Sequence, residues 1–583
     1  MSPPVRRLFR FEPRAWRLAA AVAALSVLAP IAAPVLAPPA AAQIEAKPLS
    51  EVDPWGIGWM GQSDGAPLSL WSNTDTEALA PLFAAVKPET LSPAGRALLG
   101  RLLMSSTRAP AGDLDLTPER LRLLAALGEG ERAASLGARF GARDWGMAAS
   151  RDQAALELAD GRAQSACGRA AAQPASDPLW MPVRALCLAL AGDHDAAGMM
   201  SEQAVIAEAL SAEDGAWLIS AIETMRSPMK SRPDGRYATA LDAAASIAAG
   251  LPARKGAFDA APPDVALAVL RHPGSTPEQK RAALPRAAMA RGASPDEIMQ
   301  ALRPAEDEKT APGSIGAALK LAGASETPGV DKASAYADVL GKTGGADEFR
   351  LAALALLAPV KALSESDSRP WAETFTRMAL AAGDLDLARA MRLRMNPKAG
   401  PDADADAQAD GSDAAPDPGP DPGPDPWVVA RIDLMLALAA GDDAAAEAAL
   451  QYLVSGEPEA PPSARRLTSE QQAALAKRAE TDRILALAAG AGVKLAPAMR
   501  ARIADMRSRG DPVPDAQMAA IGASVDAGAM GEAAMRAVSL LEPDPAEMSF
   551  LGLAELMSHL RRAGFDGDAR ALTLEALAPS KRF

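Results

Sequence analysis

The stretch "LALAAGDDAAAEAAL", residues 436–450, poses the question that decides the fold: it is either alanine-rich filler or one unit of a repeated design. Its spacing recurs. Gly441 is followed five residues later by Ala446, Gly192 by Ala197, Gly383 by Ala388, Gly528 by Ala533 and Gly564 by Ala569. Each glycine ends an Ala/Leu-rich run and each alanine falls inside the next one. The pattern predicts a helical hairpin: glycine takes the left-handed conformation that closes the first helix, an acidic residue such as Asp193 or Asp384 caps the second, and the small alanine lets the two cross closely.

Composition points the same way. The 583 residues are 49% hydrophobic but hold only nine Trp, three Tyr and ten Phe. A core filled by Ala, Leu and Met suits close-packed helices better than a sandwich or barrel. Tryptophans keep the register: Trp180, Trp371 and Trp427 precede their turn glycines by 12, 12 and 14 residues, and Trp145, Trp180 and Trp217 are 35 and 37 apart. Gly528 and Gly564 are 36 apart. Periods of this size indicate stacked helix pairs.

These turns resemble those of the tetratricopeptide repeat, whose inter-helix turn reads Gly-Asp-x-x-x-Ala: "GDDAAA", "GDHDAA" and "GDLDLA" are similar to it, as is the interval from Ala533 to Pro545. The resemblance implies an all-α, TPR-like α-solenoid whose concave face holds a peptide, helix or partner domain. Between Arg226 and Ala352 the turn pattern does not recur.

The N-terminus reads as an export signal. Arg6, Arg7, Arg10, Arg14 and Arg17 precede the apolar run Leu18 to Leu28, and Ala40-Ala41-Ala42 forms an A-x-A site, with cleavage between Ala42 and Gln43. "RRLF" is also similar to a twin-arginine export motif. The apolar run is short for a membrane span, and no cysteine near the site offers a lipid anchor. The expected location is the periplasm. Removal of residues 1–42 leaves 55 basic and 73 acidic residues, a net charge of −18. Such a surface disfavours nucleic acid and anionic lipid as partners.

The organisation expected is a signal peptide at 1–42, a partly irregular Trp-rich segment at 43–112, hairpins over 113–396, an acidic Pro/Gly/Asp linker at 397–426 and a second hairpin array over 427–583. The linker composition excludes helix and sheet. It either joins two helical blocks or interrupts one solenoid. In the expected oxidising compartment Cys167 and Cys187, each in a helical segment beside a turn at 174–178, are expected to form a structural disulfide, two buried thiols being the alternative.

Chemical motifs are sparse. Asp402, Asp404, Asp406, Asp410 and Asp413 approach a calcium loop, but Ala407 stands where the sharp turn needs Gly. "SPMK" (227–230) and "KTG" (342–344) are two of three motifs of penicillin-binding enzymes, yet no Asn between Asn73 and Asn396 supplies the third. "GIGWMG" (56–61) lacks the strand and βαβ unit of a phosphate cradle. His194, His272 and His559 are isolated. No catalytic, cofactor or metal site is assigned, and the scattered methionines read as core. Trp55, Trp59 and Trp71 are either a cap over the first helix pair or an aromatic docking surface. The function expected is a periplasmic scaffold for protein interaction, with a cell-wall enzyme or its regulator, or a structural envelope component, as the alternatives. Helices around Trp180 and Trp427 are the candidates to line its groove.

Overall fold

The computed structural model describes residues 53–577 except 62, 140–142, 228–231, 291–292, 305–307, 345, 396–424, 458–467, 507–513, 542–544 and 546. The expected signal sequence and Ala42–Gln43 cleavage site, the acidic stretch up to 424 and its calcium-like spacing lie outside the described residues.

The first helices are α1 (Thr76–Ala85), α2 (Pro93–Met104), α3 (Thr117–Ala126), α4 (Gly130–Arg139), α5 (Arg143–Ala159) and α6 (Ala163–Ala171). Next come α7 (Met181–Leu190), α8 (His194–Ile206), α9 (Ala212–Arg226), α10 (Ala240–Ala248), α11 (Pro263–Arg271), α12 (Pro277–Ala287) and α13 (Pro295–Leu302). They are followed by α14 (Ile315–Gly323), α15 (Gly329–Lys342), α16 (Ala346–Lys361), α17 (Glu365–Ser368), α18 (Ala372–Ala382) and α19 (Leu385–Arg394). Beyond the linker run α20 (Pro426–Ala440), α21 (Asp443–Ser455), α22 (Ser469–Gly490), α23 (Pro497–Ala504), α24 (Asp515–Asp526), α25 (Met530–Leu540), α26 (Phe550–Arg562) and α27 (Asp566–Leu577). Among the described residues the only extended pairing is an isolated bridge between Asp75 and Ala111. The protein is all-α and built of helical repeats.

The hairpin turn is a single local device used over and over. At Gly128, Gly161, Gly192, Gly383, Gly441, Gly528 and Gly564 the φ angle lies between 72° and 90°, the left-handed region that glycine enters without a Cβ penalty. Each glycine amide donates to the carbonyl three residues back and the next amide to the carbonyl five residues before it: Gly383 N to Leu380 O at 3.1 Å and Asp384 N to Ala379 O at 2.9 Å are one such pair. This double bond pattern is the Schellman cap. The residue after the glycine then starts the second helix at once, and at Asp193, Asp384 and Asp442 its carboxylate caps it, accepting from the amides of Ala196, Leu387 and Ala445. The alanine five residues after the glycine is buried in all seven hairpins: Ala133, Ala166, Ala197, Ala388, Ala446, Ala533 and Ala569 are at most 1% exposed. Gly128 and Gly161 are hairpins that the Gly-Asp signature misses, because Glu129 and Arg162 follow them.

Between Arg226 and Ala352, where the Gly-to-Ala spacing does not recur, the chain is nonetheless helical: Gly250, at φ 61°, closes α10 with the same pair of bonds, and the helix starts change their punctuation. The starts of α12 and α13 are capping boxes with proline at the first helical position: Thr276 with Gln279 and Ser294 with Glu297. The preceding loop is anchored from within. Buried Gln279 donates from Nε2 to the Tyr237 hydroxyl at 3.0 Å and to the Leu251 carbonyl at 2.8 Å.

Packing ties the two flanks of the linker together. α18 and α19 pack on α20, with Ala372, Met395 and Ile432 in one small core, and Arg392 holds Asp433 through two bonds of 2.7 and 2.8 Å. The helical stack is continuous across the linker, which decides between the two organisations the composition leaves open.

The N-terminal segment is more than a lid on the first helix pair. One core holds Trp55, Trp71, Phe83 and Leu98 together with Trp427, Leu450, Met535 and Leu572. α1 and α2 touch α3 on one side and α25 and α27 on the other. First and last hairpins therefore share a single apolar interior.

Candidate functional site

The structure forms the disulfide: Cys167 on α6 and Cys187 on α7 are bonded, with Cα atoms 5.7 Å apart. It staples one hairpin to the next, since α5–α6 and α7–α8 are separate Schellman pairs.

The tryptophan cluster is placed differently from a docking surface. Trp55 and Trp71 are 4% and 0% exposed. They pack on each other and on Phe83 at centroid distances of 5.4 to 6.2 Å. The buried Arg120 guanidinium draws the irregular segment inward. It donates to the carbonyls of Leu103, Pro54 and Ile57 at 2.9 Å and lies 5.1 Å over the Trp55 ring. Burial pulls Arg120 down to about 10, with Asp53 opposing. Only Trp59, half-buried under Arg132, keeps part of its face open. Of the two readings of these residues, the burial of Trp55 and Trp71 agrees with packing as a cap and leaves only Trp59 partly open. The GIGWMG glycines have a structural use too: a Cβ at Gly58 would lie 2.1 Å from the Ser106 amide, so glycine there permits two backbones to cross.

Other motif residues are dispersed. Ser227 ends α9, and Lys342 ends α15 in an ion pair with Asp338. His272 Nδ1 accepts from the Gly274 amide at 2.9 Å. Among the described residues no three His, Cys, Asp or Glu side chains gather to hold a metal. No helix is long and apolar enough to cross a membrane, among those same residues. Of the methionines, Met378, Met391 and Met395 are core while Met199 is 59% exposed.

Two concavities among the described residues bear on function. The first is a groove of about 770 Å³ whose floor is alanine from both members of one hairpin: Ala430, Ala437 and Ala440 on α20, then Ala445, Ala448 and Ala449 on α21. Arg389, Asp433 and the half-exposed Tyr452 stand at its rim. Trp427 itself is buried and donates to Thr481 Oγ1 at 3.1 Å, so the helix it opens lines the groove while its ring does not. Trp180 is likewise fully buried, at 0% exposure.

The second is a two-lobed cavity at the meeting of α3, α5 and α11, of about 600 and 410 Å³. Gly128, Gln153, Leu156 and Asp264 belong to both lobes. The larger lobe is walled by Leu121, Ala148, Val183, Leu241 and Val265; the smaller carries Glu129, Arg132, Asp160, Arg162 and Arg271. Asp264, in the first turn of α11, accepts from Arg96 Nη2 at 2.8 Å. Burial raises its carboxyl above the usual range and Arg96 opposes that shift. The sequence offered no signal for this cavity, because its walls come from helices more than a hundred residues apart.

Compared with known proteins, no family model, curated protein or solved structure matches this chain. What fold and surfaces define is a class: an all-α protein of stacked helical hairpins with an open groove.

Proposed function

We propose that this chain is an exported, TPR-like helical-repeat scaffold of the cell envelope that holds a segment of a partner protein in the α20–α21 groove. The observation that carries the reading is the alanine floor. Six small side chains on two antiparallel helices let a guest helix or extended segment approach the backbone closely, and Arg389, Asp433 and Tyr452 offer hydrogen bonds along the edge. The charge pattern of residues 1–42 supports export, and the net charge supports a protein partner over a polyanion.

A photo-crosslinking residue at Tyr452, compared with one at exposed Glu278 on α12, tests the reading in the source cell. The expected result is an adduct with one protein at 452 only, abolished by Ala445→Arg at the groove floor. Equal adducts at both positions, or none, overturn it. Peptidoglycan turnover by the purified chain would instead favour the enzymatic alternative. N-terminal sequencing of the mature protein, expected to begin at Gln43, tests export separately.

A further inference from the structure

We propose that the two-lobed cavity between α3, α5 and α11 is a binding site for an amphiphile with an aliphatic body and a hydrogen-bond-donating end, a primary amine in its simplest form. The inference starts from Gln153. Its side chain is more than nine-tenths buried and stands where both lobes meet. Its Nε2 points to the Glu157 carboxylate at 3.5 Å, which as an acceptor orients the amide, so Oε1 faces the other way. That oxygen takes no hydrogen bond from any described residue, and it is not sealed from solvent. A buried amide oxygen without a partner, on a residue that lines a cavity, is an acceptor awaiting a donor.

Two glycines keep the place open. A Cβ at Gly130 would lie 2.8 Å from Gln153 Oε1, and one at Gly128 would lie 2.5 Å from the Asp264 carboxyl carbon. Both polar groups thus rest over bare backbone, and both residues line the two lobes. Asp264 gives one carboxylate oxygen to Arg96. The cations of both lobes already have anions: Arg132 pairs with Glu129, Arg162 with Asp160 and Arg271 with Glu297 in the smaller, Arg122 with Glu119 and Arg151 with Asp152 in the larger. What the shared wall presents to a guest is acceptor oxygen, in a protein of strongly negative net charge. That combination selects a donor or cation over a carboxylate. The larger lobe supplies a mainly aliphatic wall, Leu121, Val183, Leu241 and Val265 among it, with the paired Arg122 and Arg151 as its charged residues, and a pocket of this size suits a small ligand.

The test uses the whole mature chain and three probes of equal length: octylamine, octanol and octanoate, followed by titration calorimetry. Octylamine is expected to saturate at one per chain, octanol to bind more weakly and octanoate least. Gln153→Leu should weaken octylamine by about tenfold, the loss of one hydrogen bond to a charged donor, with the thermal midpoint unchanged. Ala148→Phe, filling the larger lobe from a half-exposed position on α5, should abolish binding. Octanoate binding as tightly as octylamine, a linear titration without saturation, or unchanged octylamine affinity in Gln153→Leu would each overturn the proposal. Should Ala148→Phe lower the thermal midpoint, Gln153→Leu decides alone. Groove crosslinking at Tyr452 is independent of all these outcomes.

Discussion

Gly383 and Gly531 show that one residue type serves two physical needs in this protein. Gly383 sits at φ 79° with open space around it, so its requirement is conformational. Gly531 lies inside α25, where a Cβ would come within 2.3 Å of Trp71 Cε3 and 2.8 Å of the Leu70 carbonyl oxygen; its requirement is steric. The Gly531 amide also donates to that carbonyl at 2.8 Å. Gly383→Ala is expected to cost about 1 to 2 kcal/mol through the left-handed backbone alone. Gly531→Val should cost more than that, about 3 kcal/mol, because it displaces a fully buried tryptophan. Denaturant unfolding measures both. A Gly531→Val protein as stable as Gly383→Ala would show that α25 does not hold Trp71 in place.

At the scale of elements, the Cys167–Cys187 bond spans 20 residues of sequence and joins two successive hairpins. Loop-closure entropy assigns such a bond about 3 kcal/mol. Both sulfurs belong to partly exposed residues. Reduction by a phosphine is therefore expected to lower the thermal midpoint, and a Cys167→Ala, Cys187→Ala double variant should start at that lower midpoint and ignore the reductant. An unchanged midpoint on reduction would mean that α6–α7 packing suffices. Hairpin turns were readable in the sequence because everything they need lies within ten residues: glycine, cap and crossing alanine. Gly128 and Gly161, followed by Glu129 and Arg162, went unread although Ala133 and Ala166 stand five residues on, and in the stretch from Arg226 to Ala352 the left-handed Gly250 closes α10 with no alanine five residues later, while α12 and α13 open on proline-led capping boxes.

For the whole molecule, the meeting of first and last hairpins depends on contacts that no local pattern announces. The Glu575 carboxylate on α27 accepts from Ser92 Oγ at 2.7 Å and from the Ala94 amide at 2.8 Å, capping α2 across 481 residues of sequence. Arg101 on α2 reaches Asp568 on α27 at 3.4 Å. An anion at a helix N-terminus is favoured by the dipole and by the free amides there. Glu575→Ala is expected to cost about 1.5 to 3 kcal/mol and to speed hydrogen exchange in α1–α2 and α25–α27 together, leaving α5–α9 protected. Faster exchange in α27 alone would show that the ends fold independently.

By itself the sequence determined the helical class and the register of the hairpins, since a Schellman turn and its buried alanine are short-range chemistry written in adjacent residues. It left the fate of Trp55 and Trp71, the pairing of the cysteines, the continuity across the acidic linker and the cavity at Gln153 to be decided by tertiary structure. Those features arise where helices distant along the chain come to rest against one another, and which distant surfaces fit is a property of the packed volume rather than of any window of residues.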